Sequence, residues 1–212
     1  MRNRTVTLVD LGLDTAFNAS MQFVQATLDN VNAGEEQAVV DVNFVRSRDQ
    51  ETIWSALTTP STVLHVMAHG DHSEEPAFVS SDGQTEITLG SVAEQHRGQG
   101  TGIAAPIVIA DGCKTGIGVW QRALRDCLQG PVAYIGTSAI VGWKEGTVFG
   151  AAFYGALLQA RGQGRSSVDQ GLAAAGQAGQ AYQLITGKKC PYRAVMLQPS
   201  RRAKRAMTGS WE

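Results

Sequence analysis

Cysteine is scarce in this chain: three residues in 212, an odd number at no framework spacing. That excludes a disulfide scaffold and points to free thiols in a reducing compartment, the cytoplasm. Charge of either sign nearly cancels, at a formal net −1, so wholesale attraction to nucleic acid or to an anionic membrane is not expected. No apolar run approaches the ~20 residues that a membrane-spanning helix needs. The opening MRNRTVTLVDLGLD has a short apolar run with Asp10 inside it and no small-residue cleavage site, so it reads as a first strand and not as a leader. No serine sits in a Gly-x-Ser-x-Gly elbow, and Gly112-Cys113-Lys114-Thr115 breaks the phosphate-loop pattern. Gly98, Gly100 and Gly102 precede a strand instead of following one, which excludes a dinucleotide fingerprint. No cofactor is expected.

What is present is an ordinary globular composition, 43% hydrophobic and 17% charged. Apolar and β-branched runs predict strands at Thr5–Val9, Ala38–Val45, Ser61–Ala68, Ile107–Ala110, Pro131–Thr137 and Tyr192–Gln198. Helical spacing of Phe17, Met21, Val24, Leu28 and Val31 predicts a helix capped by Asp14 and ended by Gly34. Further helices are predicted over Gln50–Leu57, from Ser91, and over Ile117–Leu128, Trp143–Arg161 and Ser167–Gly187. Ser81-Asp82-Gly83 marks a hairpin within Ala77–Thr88, and Arg97–Ala104 reads as glycine-rich loop. The order implies one α/β domain over residues 1–200, with a mostly parallel sheet and helices on both faces. Residues 201–212 read as a basic, mobile tail.

Two phrases carry the chemistry. VLHVMAHG ends in His69-Gly70 and PIVIADGCKTG contains Gly112-Cys113, each an apolar run stopping in a reactive side chain. In open α/β sheets chemistry collects where parallel strands end. If the two strands are neighbours, an imidazole and a thiol emerge side by side, as nucleophilic cysteine catalysis requires. A helix beginning near Ile117 would aim backbone N–H groups at the Cys113 sulfur and favour the thiolate. Gly70 leaves its N–H open to a substrate carbonyl, an oxyanion donor beside the N–H of Cys113.

These residues resemble the caspase-like cysteine peptidases (the caspase, separase and metacaspase group), and within it the CHAT domains. VLHVMAHG and DGCKTG look like the His-Gly and Cys-x-Thr-Gly phrases of that branch. VAYIGTSAIVGW looks like its strand leading to a Trp-containing loop, and FGAAFYGALLQARGQGRSSVDQGLAAAG like its following helix pair; the likeness spans Thr62 to Gln180. The resemblance implies a caspase-like three-layer sandwich with about six strands, a His69–Cys113 dyad with Gly70 and Cys113 as the oxyanion hole, and peptide-bond hydrolysis through an acyl-enzyme. It implies no third catalytic residue. Asp111-Gly112-Cys113 also looks like the Asp-x-Cys of metacaspases, which implies a carboxylate in the S1 pocket selecting Arg or Lys. Trp143 and the segment Ile135–Ser138, Ser138 included, are expected to wall the substrate cleft, because the loop after the fifth strand emerges at the same sheet edge.

Blander readings stand beside these. His65, His69 and His72 have a metal-like spacing but lie on strand and loop with no zincin glutamate, so a metal is not expected. Asp111 could merely cap the following helix. Cys127 reads as packing and Cys190 as a loop thiol. The basic residues Lys188, Lys189, Arg193, Arg201, Arg202, Lys204 and Arg205 read as solvated surface, with docking of an acidic partner or self-cleavage in Arg201–Arg205 as functional options. The partner expected is a protein or peptide substrate. Rival readings are a catalytically silent interaction domain and a bacterial effector that waits for an activating partner or ligand, with the hairpin and Arg97–Ala104 as mobile switch elements.

Overall fold

A computed structural model describes residues 4–34, 38–71, 74–159 and 166–208. His72 and residues 209–212 lie outside it. In chain order the elements are β1 (Arg4–Asp10), α1 (Thr15–Ala33), β2 (Val40–Arg46), α2 (Gln50–Thr58), β3 (Val63–Met67), β4 (His69–Asp71), β5 (Ala77–Val79), β6 (Glu86–Thr88) and α3 (Leu89–Gln99). They continue with β7 (Ile107–Asp111), α4 (Gly118–Leu124), β8 (Val132–Thr137), α5 (Trp143–Gln159), α6 (Ser167–Thr186), β9 (Tyr192–Leu197) and α7 (Arg201–Thr208).

Six strands form one sheet in the order β2-β1-β3-β7-β8-β9, parallel except for β9, which runs antiparallel to β8. Strand alternation divides the core in two. Leu64, Val66, Val108, Ala110 and Tyr134 face a cluster completed by Ile53 of α2, Val92 of α3 and Trp120 of α4. Val63, Met67, Ile107, Ile109 and Ile135 face the other, completed by Met21 of α1, Phe153 of α5 and Ala178 of α6. Each large side chain so buried contributes roughly 1.5–3 kcal/mol, which is why these strands are apolar on both faces. Asp14 caps α1 by accepting the Phe17 N–H at 2.7 Å, and Asp49 caps α2 through Thr52 at 2.8 Å, worth about 1 kcal/mol each.

Four expectations need correction. Residues 97–99, read as loop, are the last turn of α3; its buried stripe of Leu89, Val92, Ala93 and His96 outweighs the helix penalty of Gly98, and Gly100 at φ 68° ends it. The helix starts at Leu89 under a Thr88 cap, not at Ser91, whose N–H is the group capped. The helix predicted to Leu128 stops at Leu124. The basic tail is helical over Arg201–Thr208: Ala203 and Ala206 are buried one turn apart, α7 packs on α3, and Ser200 anchors its start by donating its N–H to the Arg125 carbonyl at 2.9 Å. Strand β4, at the His69 exit, carries no alternation and was not anticipated; it pairs with β5 in a small antiparallel sheet β4-β5-β6.

Candidate active site

Met67 and Asp111 are paired in register across β3 and β7, so His69 and Cys113 each leave the sheet two residues beyond the same rung. Both line one cavity of about 370 Å³, together with Asp111, Gly112, Phe17, Ile140 and Trp143. Trp143 and Ile140 stand half to three-quarters exposed on its rim, at 47% and 77%.

The turn carrying Cys113 is built from buried hydroxyls. Thr115 donates to the Ala110 carbonyl at 2.6 Å and accepts the Thr137 N–H at 3.1 Å; Thr137 donates to the Gly112 carbonyl at 2.5 Å. Gly116 packs so closely on Gly136 that an added Cβ would lie 2.7 Å from its carbonyl carbon. The Cys-x-Thr-Gly phrase is therefore a brace for the thiol. Lys114, at φ 57°, completes the turn in the left-handed region.

This turn corrects one expectation. The N–H groups between Cys113 and α4 are not aimed at sulfur: Lys114 donates to Ala139, Thr115 to Gly112, Gly116 to Thr137 and Ile117 to Lys114. The Cys113 thiol faces the Val141 carbonyl at 3.8 Å. Its own N–H, among the described residues, donates to no backbone carbonyl. Gly70 lies against it: a Cβ at Gly70 would collide with the Cys113 carbonyl, and one at Gly112 would fall 2.6 Å from the Ala68 carbonyl oxygen and 3.3 Å from the Gly70 nitrogen. Only glycine permits that approach.

Asp111 is 5% exposed at the base of the cavity. Tyr192 donates to its Oδ1 at 2.5 Å, and its Oδ2 lies 3.7 Å from Nε2 of buried His65. A Cβ on Gly146 of α5 would meet Oδ2 at 2.6 Å, so that glycine admits the carboxylate. Burial and the adjacent carboxylate push the Tyr192 phenol well above its ordinary pKa. His65 also pairs with Tyr154 through Nδ1 at 3.1 Å, and its Nε2 has no hydrogen-bond partner among the described residues. Asp111 does not cap the next helix: α4 begins at Gly118 and its N-cap position is Ile117.

Ser138 belongs elsewhere. Its N–H and hydroxyl both donate to the Pro191 carbonyl at 2.9 Å, pinning β8 to the approach of β9, and neither it nor Ile135 lines the cavity. The wall is formed instead by residues 140–143. Among the described residues no group of three or more His, Cys, Asp or Glu is arranged to hold a metal.

Three contributors were not legible as site residues. Asp14 reads as a helix cap, Ser81 as a turn residue and Phe17 as core, yet all reach His69. Its Nε2 lies 3.1 Å from Ser81 Oγ and 3.7 Å from Asp14 Oδ2, and the Phe17 ring meets it edge-on with centroids 5.0 Å apart.

No family model matches the sequence, and no curated protein matches it. Solved structures do. A secreted C11 cysteine protease from Bacteroides thetaiotaomicron, in complex with an irreversible peptide inhibitor, matches with a TM-score of 0.52 and 11% identity, over 86% of this chain and 60% of that one. A second structure of a secreted C11 cysteine protease from the same organism, "iotapain", matches with a TM-score of 0.49 and 11% identity, over 72% and 61%. The chain spans about three fifths of the length of these neighbours. At this identity the likeness is one of fold: the chain is a caspase-like α/β sandwich with a mostly parallel six-stranded sheet.

Proposed function

We propose that the chain is a cysteine peptidase acting on protein or peptide substrates. The observation that carries this reading is the convergence of His69 and Cys113, from one rung of two adjacent parallel strands, on a single cavity. In the proposed cycle His69 takes the Cys113 proton, the thiolate adds to the scissile carbonyl, and the oxyanion is held by the N–H groups of Gly70 and Cys113. The C–N bond breaks as His69 returns the proton to the leaving amine. Water, deprotonated by His69, then hydrolyses the thioester and regenerates the thiol.

Asp111 at the cavity base, with apolar walls above it, supports cleavage after Arg or Lys, the side-chain stem lying along Trp143 and Ile140 and the charge meeting Oδ2. Tyr192 already occupies Oδ1, so Asp111 both reads the substrate and ties β7 to β9. Arginyl and aspartyl fluorogenic peptides test this with Asp111→Asn, which keeps the Tyr192 bond. The wild type prefers the arginyl peptide by at least about tenfold, and the variant loses that preference; an aspartyl preference sinks the basic pocket.

Kinship with the CHAT branch rests on the His-Gly and Cys-x-Thr-Gly phrases, while Asp111 leans toward metacaspases. Three unpaired thiols favour a reducing compartment, unlike the neighbours, which are secreted. No described helix is long and apolar enough to cross a membrane. Regulation by a partner or ligand would act through residues 140–143, which line the cavity with Cys113 and whose Val141 carbonyl faces the thiol; a protein that never turns over, with or without additions, would be the silent interaction domain.

A further inference from the structure

The hydrogen-bond arrangement around Ser81 decides which nitrogen of His69 is the base. Among the described residues Ser81 Oγ has three hydrogen-bonding neighbours: the Gly12 carbonyl at 2.8 Å, Asp14 Oδ2 at 2.7 Å and His69 Nε2 at 3.1 Å. Carbonyl and carboxylate only accept, so the single hydroxyl proton belongs between them; aimed at histidine, it would leave two oxygens facing a third without a proton. The Ser81 lone pair is then free to accept, and only a protonated Nε2 can donate to it. Nδ1 is left without a protein partner among the described residues and carries the lone pair.

We infer that Ser81 and Asp14 are positioning residues that hold neutral His69 as its Nε2–H tautomer and so assign Nδ1 as the acceptor of the Cys113 proton. The chemistry rests on the peptidase reading, but the tautomer does not. When the thiol proton moves from Sγ to Nδ1, the imidazolium keeps its Nε2–H on Ser81, and the Asp14 carboxylate 3.7 Å away offsets the new positive charge.

The surrounding chain is shaped for this. Leu13, at φ 58°, holds an unusual left-handed conformation for a branched residue, secured by donating its N–H to Asp10 Oδ1 at 3.0 Å. That kink presents Asp14, whose Oδ1 caps α1 while Oδ2 reaches Ser81. Hydrogen bonds from Phe17 and Ser81 hold the Asp14 carboxyl below its ordinary pKa, against the effect of its partial burial, and keep it charged. Ser81 also donates its own N–H to Gly12 at 2.8 Å, so the hairpin is fastened to the β1–α1 corner by backbone and side chain together. A hairpin read as a mobile switch is thus the element that orients the base.

Ring-nitrogen NMR of His69 in the full chain tests this, comparing wild type with Ser81→Ala, Ser81→Thr and Asp14→Asn. The wild type shows Nε2–H; Ser81→Ala shows a tautomer mixture and loses about tenfold or more of kcat/KM, mainly in kcat, for an arginyl peptide. Ser81→Thr restores both. Asp14→Asn keeps the helix cap, since asparagine caps equally well, but loses activity without loss of thermal stability. Wild-type His69 with its proton on Nδ1, or Ser81→Ala with an unchanged tautomer, overturns the inference. A correct tautomer with no turnover and no labelling of Cys113 overturns the peptidase reading, and with it the base role, while leaving the tautomer assignment standing.

Discussion

A methyl group at Gly70 would strike the Cys113 carbonyl, and one at Gly112 would press on the Ala68 carbonyl; in both cases backbone must move. Gly70→Ala and Gly112→Ala should each cost about 1–3 kcal/mol, read by urea unfolding, and should slow Cys113 alkylation more than the stability loss explains. Equal alkylation rates in variant and wild type would contradict the close approach. Tyr192→Phe removes the donor to Asp111 and should cost about 1–3 kcal/mol, because a buried carboxylate oxygen loses its partner. His69 and Cys113 stand out in the sequence as candidates because each follows the end of an apolar strand, and Thr115-Gly116 stands out only through the family resemblance. Ser81 and Asp14 were not legible as partners: they lie 67 positions apart, and each had a sufficient local role as turn and cap residue. Ser138 failed for the opposite reason. It follows the right strand but turns to the Pro191 carbonyl, away from the cavity.

Elements came through the sequence where one periodicity ruled. The parallel strands, α1 and α6 stand close to their expected bounds, with Asp14 and Ser166 capping the two helices, and α5 starts at Trp143 as expected, its expected end at Arg161 lying outside the described residues. Short elements did not: β4 has three residues and polar ends, and α7 hides two buried alanines among three arginines and a lysine. Packing on α3 gives α7 a structural role. Truncation after Ser200 should lower stability by about 1–2 kcal/mol, the transfer value of two buried methyl groups with their local contacts; an unchanged urea midpoint would return residues 201–208 to a solvated tail. The helix also bears on self-cleavage in Arg201–Arg205, since a cleft binds extended chain and the helix must first unwind. Intact-mass analysis of active enzyme should therefore show an uncut C-terminus.

For the whole molecule, the buried His96 of α3 is expected to set the dependence of stability on pH. His96 of α3 is fully buried, neither ring nitrogen has a well-formed hydrogen bond among the described residues, and burial, reinforced by Arg97, lowers its pKa. The unfolded chain takes up this proton near pH ~6.5 while the folded chain resists it. The contribution of the neutral ring is therefore intact above that pH and declines as pH falls below it, by at most about 1.4 kcal/mol per unit. Asp14, Asp49 and Asp82, all held below their ordinary range, act in a separate window under pH ~4, and buried Asp10, raised by desolvation, has the opposite sign. His96→Leu should flatten the stability profile between about pH 5 and 6.5; an unchanged slope would place the sensitivity elsewhere.

In the proposed peptidase, His69 activates Cys113 above a pocket floored by Asp111. Intact-mass labelling with a peptidyl-arginyl chloromethylketone tests it most directly. Rapid single labelling at Cys113 in the wild type, with Cys127 and Cys190 untouched and the rate falling at least about tenfold in His69→Ala, is the predicted result. Labelling spread over the thiols, or a Cys113 rate indifferent to His69, would rule out a His69–Cys113 dyad.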